Sequence, residues 1–461
     1  MRFIRQLKKM TPLSGTSLTM SRRLFFYTFT LFLLIGTILA GCIMLSGRFQ
    51  VVERSTASML ETQLSVYEQN IRIHFDHTAA LGLNMSADLS IQLEEWLEQE
   101  GFEFEDLNGN PDAIAQLELF LYSTLHQSIA LTDCSGVYFL LDVTANPDLP
   151  GADRSKSGLY LKIANLNVVH PINMKLLQYR GSTAVGNNNG LEYHNMWALE
   201  YNADDFPNYD LVMSHANADL NSCYLFTDSM KLPGTWEKAM LLCVPIVSDS
   251  GDIYGICGFE ISQLFYKLYY AHASANSRLS GILTMAGEDG LRADSGLESG
   301  TLLGYFANLT GTLSISNGPG FQIFDSGEHQ LAGLKKSIKL SPVRGEHTLA
   351  VMIPKADYEA LRMRNIQENA VIIILIIFVT ALGSIQMSRL YVKPILAGLS
   401  QVRSQGTCDI TNIREIDDLL EYLSQKDAEM EAAAAAENRQ QQKTVTLYEE
   451  FVKNIETHSP A

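Results

Sequence analysis

The 461-residue chain carries none of the short motifs that mark common catalytic chemistries. It has no His-Glu-x-x-His, no Gly-x-Ser-x-Gly, no phosphate-cradling glycine loop, and no kinase or cyclase signature, so it reads as a non-enzyme that calls for no cofactor. Gly251, Gly255 and Gly258 miss the Gly-x-Gly-x-x-Gly spacing and read as turn and close-packing glycines. His74 and His77 stand three apart on a helical stretch with no third ligand nearby, which points to a solvated helix face and no metal. A basic surplus is missing as well: 34 Lys and Arg face 51 Asp and Glu, which excludes a broad nucleic-acid-binding face on this chain.

Charge is absent from two long stretches, Leu24–Leu45 and Ala370–Met387. As helices they would reach ~33 Å and ~27 Å, enough for a hydrocarbon layer ~30 Å thick. Two transmembrane spans are expected, bracketing a large globular region. No acidic residue occurs among the first 23 positions, whereas Arg2, Arg5, Lys8, Lys9, Arg22 and Arg23 do, so both termini are expected in the cytoplasm. A competing reading treats Leu39-Ala40-Gly41-Cys42 as a lipoprotein cleavage box with Met20 as the start; Ile43-Met44-Leu45 keep the run apolar past the cysteine and argue against it. Cys134, Cys223, Cys243 and Cys257 then lie outside, with three pairings open to them. Cys243 and Cys257 fall nearly opposite in a hairpin, where either a bridge or buried small thiols would fit.

Apolar residues at three- and four-residue steps from Leu60 to Trp96 predict one long helix, interrupted only by Gly82. Pro111 suits the first turn of a shorter helix to about Gln127. Strands are expected at 137–143 and 159–163, then a loop with a short helix over 181–209. The clearest hairpin is Lys238–Val247 and Ile253–Ile261 around Ser248-Asp249-Ser250-Gly251-Asp252. Smaller strands follow at 279–285, 313–316, 321–324, 330–340 and 348–353. Past the second span, Ile395, Leu399 and Val402 form one helical stripe and Ile416, Leu419, Leu420 and Leu423 another, the pattern of paired helices in a dimer.

This plan resembles the double Cache (PAS-like) sensor domains of bacterial receptors, most locally at Val244-Pro245-Ile246-Val247, Asp249, Gly251 and Tyr254–Ile261. The resemblance implies an α+β extracellular domain, a long helix with two tandem antiparallel sheets, joined to two transmembrane helices and a cytoplasmic helical segment. The expected order is a basic N-terminus (1–23), span one (24–45), spine helix (46–100), distal Cache-like module (101–275), membrane-proximal module (276–360), span two (370–387), HAMP-like linker (388–426) and helical tail (427–461). The linker resembles HAMP at Pro394, Ile395, Leu399, Glu415, Ile416 and Leu420, and departs from it where Asp418 replaces a glycine. The segment from Thr411 to Leu420, with Phe451–Ile455 and Ser459-Pro460-Ala461, is similar to membrane-tethered LuxR-type regulators, in which a helix-turn-helix follows. DNA is a partner only if such a segment lies downstream.

By the same resemblance a pocket in the distal module would draw on Tyr160, Trp197, Tyr201, Tyr224, Trp236 and Glu260: aromatic walls, and one carboxylate for an ammonium or hydroxyl group. The expected protein is a sensor in the bacterial cell membrane, a homodimer by its paired helices, that takes a small extracellular solute. The alternative is a membrane-anchored surface binding protein, against which the cytoplasmic heptad stripes argue.

Overall fold

A computed structural model describes residues 20–166, 174–206, 208–272, 278–287, 290–301, 304–343, 345–387, 389–390, 394 and 414–457. Two compact units are present, one spanning Gln50–Asn365 and the other combining Met1–Phe49 with Ile366–Ala461. The second unit opens with α1 (Met20–Leu45).

The first unit begins with α2 (Val51–Glu100), closed by Gly101 in the left-handed region, whose N–H bonds Leu97 O. Its stripe Leu60, Tyr67, Ile71, Phe75, Met85, Leu89, Leu93 is buried. Next comes α3 (Pro111–Leu131), with Pro111 at its first turn and the Asn110 side chain accepting from the Ala113 N–H. The first sheet contains β1 (Gly136–Leu141), β3 (Gly158–Ile163), β4 (Leu176–Arg180), β5 (Glu192–Ala198), β7 (Leu225–Phe226), β8 (Met230–Lys231), β9 (Lys238–Val247) and β10 (Ile253–Ser262). Its order is β5-β4-β3-β1-β10-β9-β7, with β8 also on β9; β2 (Ser155–Lys156) and β6 (Tyr201–Asn202) pair apart from it.

The sheet is not wholly antiparallel. β4 and β5 run parallel, because α4 (Thr183–Asn189) carries the chain back to the same end between them. The stretch expected as a loop with a short helix over 181–209 holds a short helix and, beyond that expectation, two strands.

Alternation divides the sheet cleanly. Val137, Phe139, Leu161, Leu242, Phe259 and Ile261 pack against α2 and α3, whereas Tyr138, Leu140, Tyr160, Tyr179, Leu241 and Ile256 form a core on the far face. Phe75, Phe139, Phe226 and Phe259 are fully buried, each worth roughly 1.5–3 kcal/mol over exposure. The far face is covered by α5 (Tyr209–His215) and flanking loops.

Gly82 does not interrupt α2. A Cβ there would lie 2.6 Å from Leu242 Cδ2, so the glycine lets helix and β9 approach. In the β9–β10 hairpin Gly251 turns at φ 96°, and Gly258 lies so close to β9 that a Cβ would be 1.7 Å from Leu242 O. Cys257 pairs with Val244, one residue off Cys243. That offset sends Cys257 to the helix face and Cys243 to the far face, and Cys134, Cys223, Cys243 and Cys257 are all thiols. The bridge between Cys243 and Cys257 is thereby excluded.

α6 (Gln263–Tyr269) leads to the second sheet: β11 (Ser280–Gly287), β12 (Gly290–Arg292), β13 (Leu297–Ser299), β14 (Thr312–Asn317), β15 (Gln322–Asp325), β16 (Gln330–Ile338) and β17 (His347–Pro354), in the order β12-β14-β15-β16-β17-β11-β13. α7 (Lys355–Met387) follows β17 without an intervening residue. Both α1 and α7 are long and apolar enough to cross a membrane, and Leu31, Leu33, Leu34, Ile38, Ile374, Leu375 and Phe378 are exposed on them. Within that unit Gly36 faces Thr380, whose Oγ1 would lie 3.1 Å from an added Cβ. α8 (Arg414–Thr457) is one continuous helix that contains Glu415, Ile416 and Leu420 and carries the second expected stripe on into the helical tail. Pro394 is helical, whereas Ile395 and Leu399 lie outside the described residues.

Candidate functional site

Three neighbouring strands set the chemistry of the far face. Gly136 on β1 pairs with both Glu260 on β10 and Lys162 on β3, so the two charged side chains flank a residue that has none. A Cβ at Gly136 would lie 3.2 Å from Glu260 Oε2; its absence makes room for their ion pair. Lys162 Nζ lies 2.9 Å from Glu260 Oε2 and 3.1 Å from Oε1. Tyr160 O–H donates to Oε2 at 2.5 Å and Ser135 O–H to Oε1 at 2.8 Å. Glu260 is fully buried, and these four bonds occupy its oxygens. Lys162 also meets Glu237 at 2.5 Å; burial opposes its charge, but Glu260 and Glu237 prevail and hold its pKa above the ordinary lysine value.

Glu260 is thus neither a solvated strand end nor a free carboxylate for a ligand ammonium. It is the hub of a buried polar network.

Beside the hub, Tyr160 and Tyr201 rings stack with centroids 6.2 Å apart, and Tyr179 meets Tyr160 edge-on at 5.2 Å. Together with Arg180, Asp205 and Phe206 they line a narrow cleft of about 30 Å³. Arg180 is only 9% exposed, its guanidinium carbon lying 3.9 Å from the Tyr179 ring centroid. Its Nη1 donates to Tyr179 O and Met196 O, both at 2.8 Å. Among the described residues no carboxylate pairs with it. Tyr201 O–H, buried in the same cleft, has no hydrogen-bond partner among the described residues.

The other expected pocket residues disperse. Trp197 donates its Nε1–H to Gly181 O and packs on Tyr193, 5.6 Å between centroids. Tyr224 sits on the helix face of the sheet, against the core that includes α2. Trp236 is 92% exposed and borders a separate cavity of about 430 Å³ with Lys162, Lys238, Lys267 and Phe306. Of the six, Tyr160 and Tyr201 line the cleft, while Trp236 and Glu260 line the larger cavity. Lys162, Arg180 and Ser135 were not anticipated; period-two alternation along β3 and β4 places Lys162 beside Tyr160 and Tyr179 only once strand register is known.

His74 departs from the solvated face expected of it. Its Nε2–H donates to Asp133 O at 2.6 Å, which leaves Nδ1 to accept from Tyr270 O–H at 2.5 Å, and burial pushes its pKa below the ordinary histidine value. His77 is exposed.

Solved structures similar to this chain are ligand-binding domains of chemoreceptors. The periplasmic sensory domain of the Campylobacter jejuni chemoreceptor Tlp1 is 14% identical over 67% of this chain and 98% of that one, with a TM-score of 0.36. The Pseudomonas fluorescens chemoreceptor CtaA domain, solved with L-serine, is 12% identical over 66% and 99%, TM-score 0.36. The Pseudomonas aeruginosa PAO1 chemoreceptor PctB domain, solved with L-Arg, is 9% identical over 67% and 92%, TM-score 0.36. Likeness at this level assigns neither a site nor a ligand to this chain. No family model matches the chain, and no curated protein matches it.

Proposed function

We propose that this chain is a membrane receptor whose two-sheet domain detects a small solute bearing a carboxylate. More particularly, it is a double Cache sensor of the bacterial cell membrane, working as a homodimer with the two-sheet domain outside. The observation that carries the ligand class is Arg180: among the described residues its buried guanidinium is paired with no carboxylate, and the neighbouring Tyr201 O–H has no hydrogen-bond partner. A solute carboxylate would accept from both, and Asp205, exposed at the rim, would suit a cationic group on the same solute. At about 30 Å³ the cleft has room for about one water, so a solute enters when the stretches around Tyr201–Phe206 and Met230–Pro233 part.

The output rests on sequence resemblance alone. A HAMP-like relay through Pro394, Ile395, Leu399, Glu415, Ile416 and Leu420 would pass a shift in helix packing to a LuxR-type helix-turn-helix beyond the segment. The gapless join of β17 to α7 supports such a relay.

The test is thermal unfolding of the detergent-solubilised chain against small carboxylates and their amides. At about 100 times its Kd a ligand adds about 2.7 kcal/mol to the folded state. At least one carboxylate is expected to stabilise the protein, its amide not, and R180M to abolish the effect. Absence of any carboxylate response, or an unchanged response in R180M, refutes the reading.

A further inference from the structure

We propose that the joint between the two sheets holds a second binding site, separate from the Arg180 cleft, that takes an organic anion with a flat apolar body. The cavity of about 430 Å³ lies where the ends of β3, β9 and β10 meet α6 and Phe306. Three lysines and two glutamates line it, yet the charges do not cancel where they stand. Lys162 is held between Glu260 and Glu237, a trio left with one net negative charge, so the other two lysines give the lining one net positive charge. Lys238 and Lys267 remain, and among the described residues neither forms an ion pair.

Lys238 Nζ donates to Ala293 O at 3.0 Å, and burial lowers its pKa despite the more distant Glu298 and Asp294. Glu298 offsets it only partly: its carboxylate accepts from the Leu309 N–H at 2.7 Å, and burial pushes its pKa up to about 7. Lys267 Nζ stands 3.8 Å from the Phe306 ring centroid. A half-buried ammonium short of counter-charge is stabilised by an anion that enters beside it.

The rest of the lining fits the body of such an anion. Trp236 is 92% exposed and Leu264 56% exposed, so an aromatic face and an aliphatic side chain border the cavity uncovered. The site also sits on a coupling point: the Gln263 side chain donates to Glu298 O at 2.7 Å and accepts from the Glu298 N–H at 3.0 Å, fastening α6 to β13. An occupant would bear on both sheets at once.

The detergent-solubilised full chain, titrated with phenyl phosphate and followed by tryptophan fluorescence, tests this. Trp236 is the exposed member of the three tryptophans, so a saturable emission change is expected in the parent protein and not in W236F. K238M and K267M should each weaken binding at least about tenfold, while R180M leaves it unchanged and so separates this site from the cleft. Lys267 is exposed, so K267M folds and keeps the test decisive if K238M does not. The proposal is overturned if saturation is absent up to about 10 mM, if benzyl alcohol binds as tightly, if inorganic phosphate matches phenyl phosphate, or if folded K267M binds with parental affinity.

Discussion

Glu118 offers a sharp test of the fold's electrostatics. It projects from α3 into the interior, 1% exposed, and its Oε2 accepts the Ser182 N–H at 2.6 Å. Burial, with only backbone donors opposing it, raises its pKa from 4.5 to about 8. A carboxyl whose folded pKa is raised binds its proton more tightly when folded, so its contribution is full in acid and is lost as pH climbs through the folded value. Between about pH 6 and about pH 8 that loss amounts to about 2.3 kcal/mol. Glu298, with its pKa near 7, adds about 1.4 kcal/mol of the same sign over the same interval.

The perturbation is Glu118→Gln, which keeps the acceptor for Ser182 and removes the titration. Urea unfolding of parent and variant at both pH values gives a double difference in which Glu298 and the histidines cancel. The variant should lose about 2.3 kcal/mol less than the parent on going from about pH 6 to about pH 8. Equal losses in the two proteins would refute a titrating Glu118 in this window.

Two further outcomes follow from the far-face network and the hairpin. Lys162→Met leaves Glu260 buried beside Tyr160 and Ser135 without its cation, and should cost about 3–5 kcal/mol in urea unfolding, with Lys162→Met/Glu260→Leu recovering part of the loss. Gly258→Ala places a methyl group 1.7 Å from Leu242 O and must spread β9 from β10; a loss of at least about 3 kcal/mol is expected, whereas Gly251→Asn at the open turn should cost under about 1 kcal/mol.

Particular elements show where local reading works. The β9–β10 hairpin is legible because its turn chemistry and its alternating strands are neighbours in sequence. Pro111 and Gly101 mark helix ends through properties of their own backbones. Tyr224 and Trp197, by contrast, read as pocket walls because aromatic identity says nothing about sheet face, and His74 read as solvated because only the fold brings Tyr270 and Asp133 to it.

By itself the sequence determined the two apolar helices, the spine stripe, the tight hairpin and the mixed helix-and-sheet character, since each follows from periodicity, charge or turn residues within about 20 positions. Tertiary structure alone decided the site. Glu260 and Lys162 meet because strands far apart in the chain pair on either side of Gly136. The same pairing commits Glu260 to Tyr160 and Lys162, and among the described residues Arg180 has no carboxylate partner. Which charge is spent and which is free depends on non-local register, and register is settled by burial of one sheet face against α2 and α3.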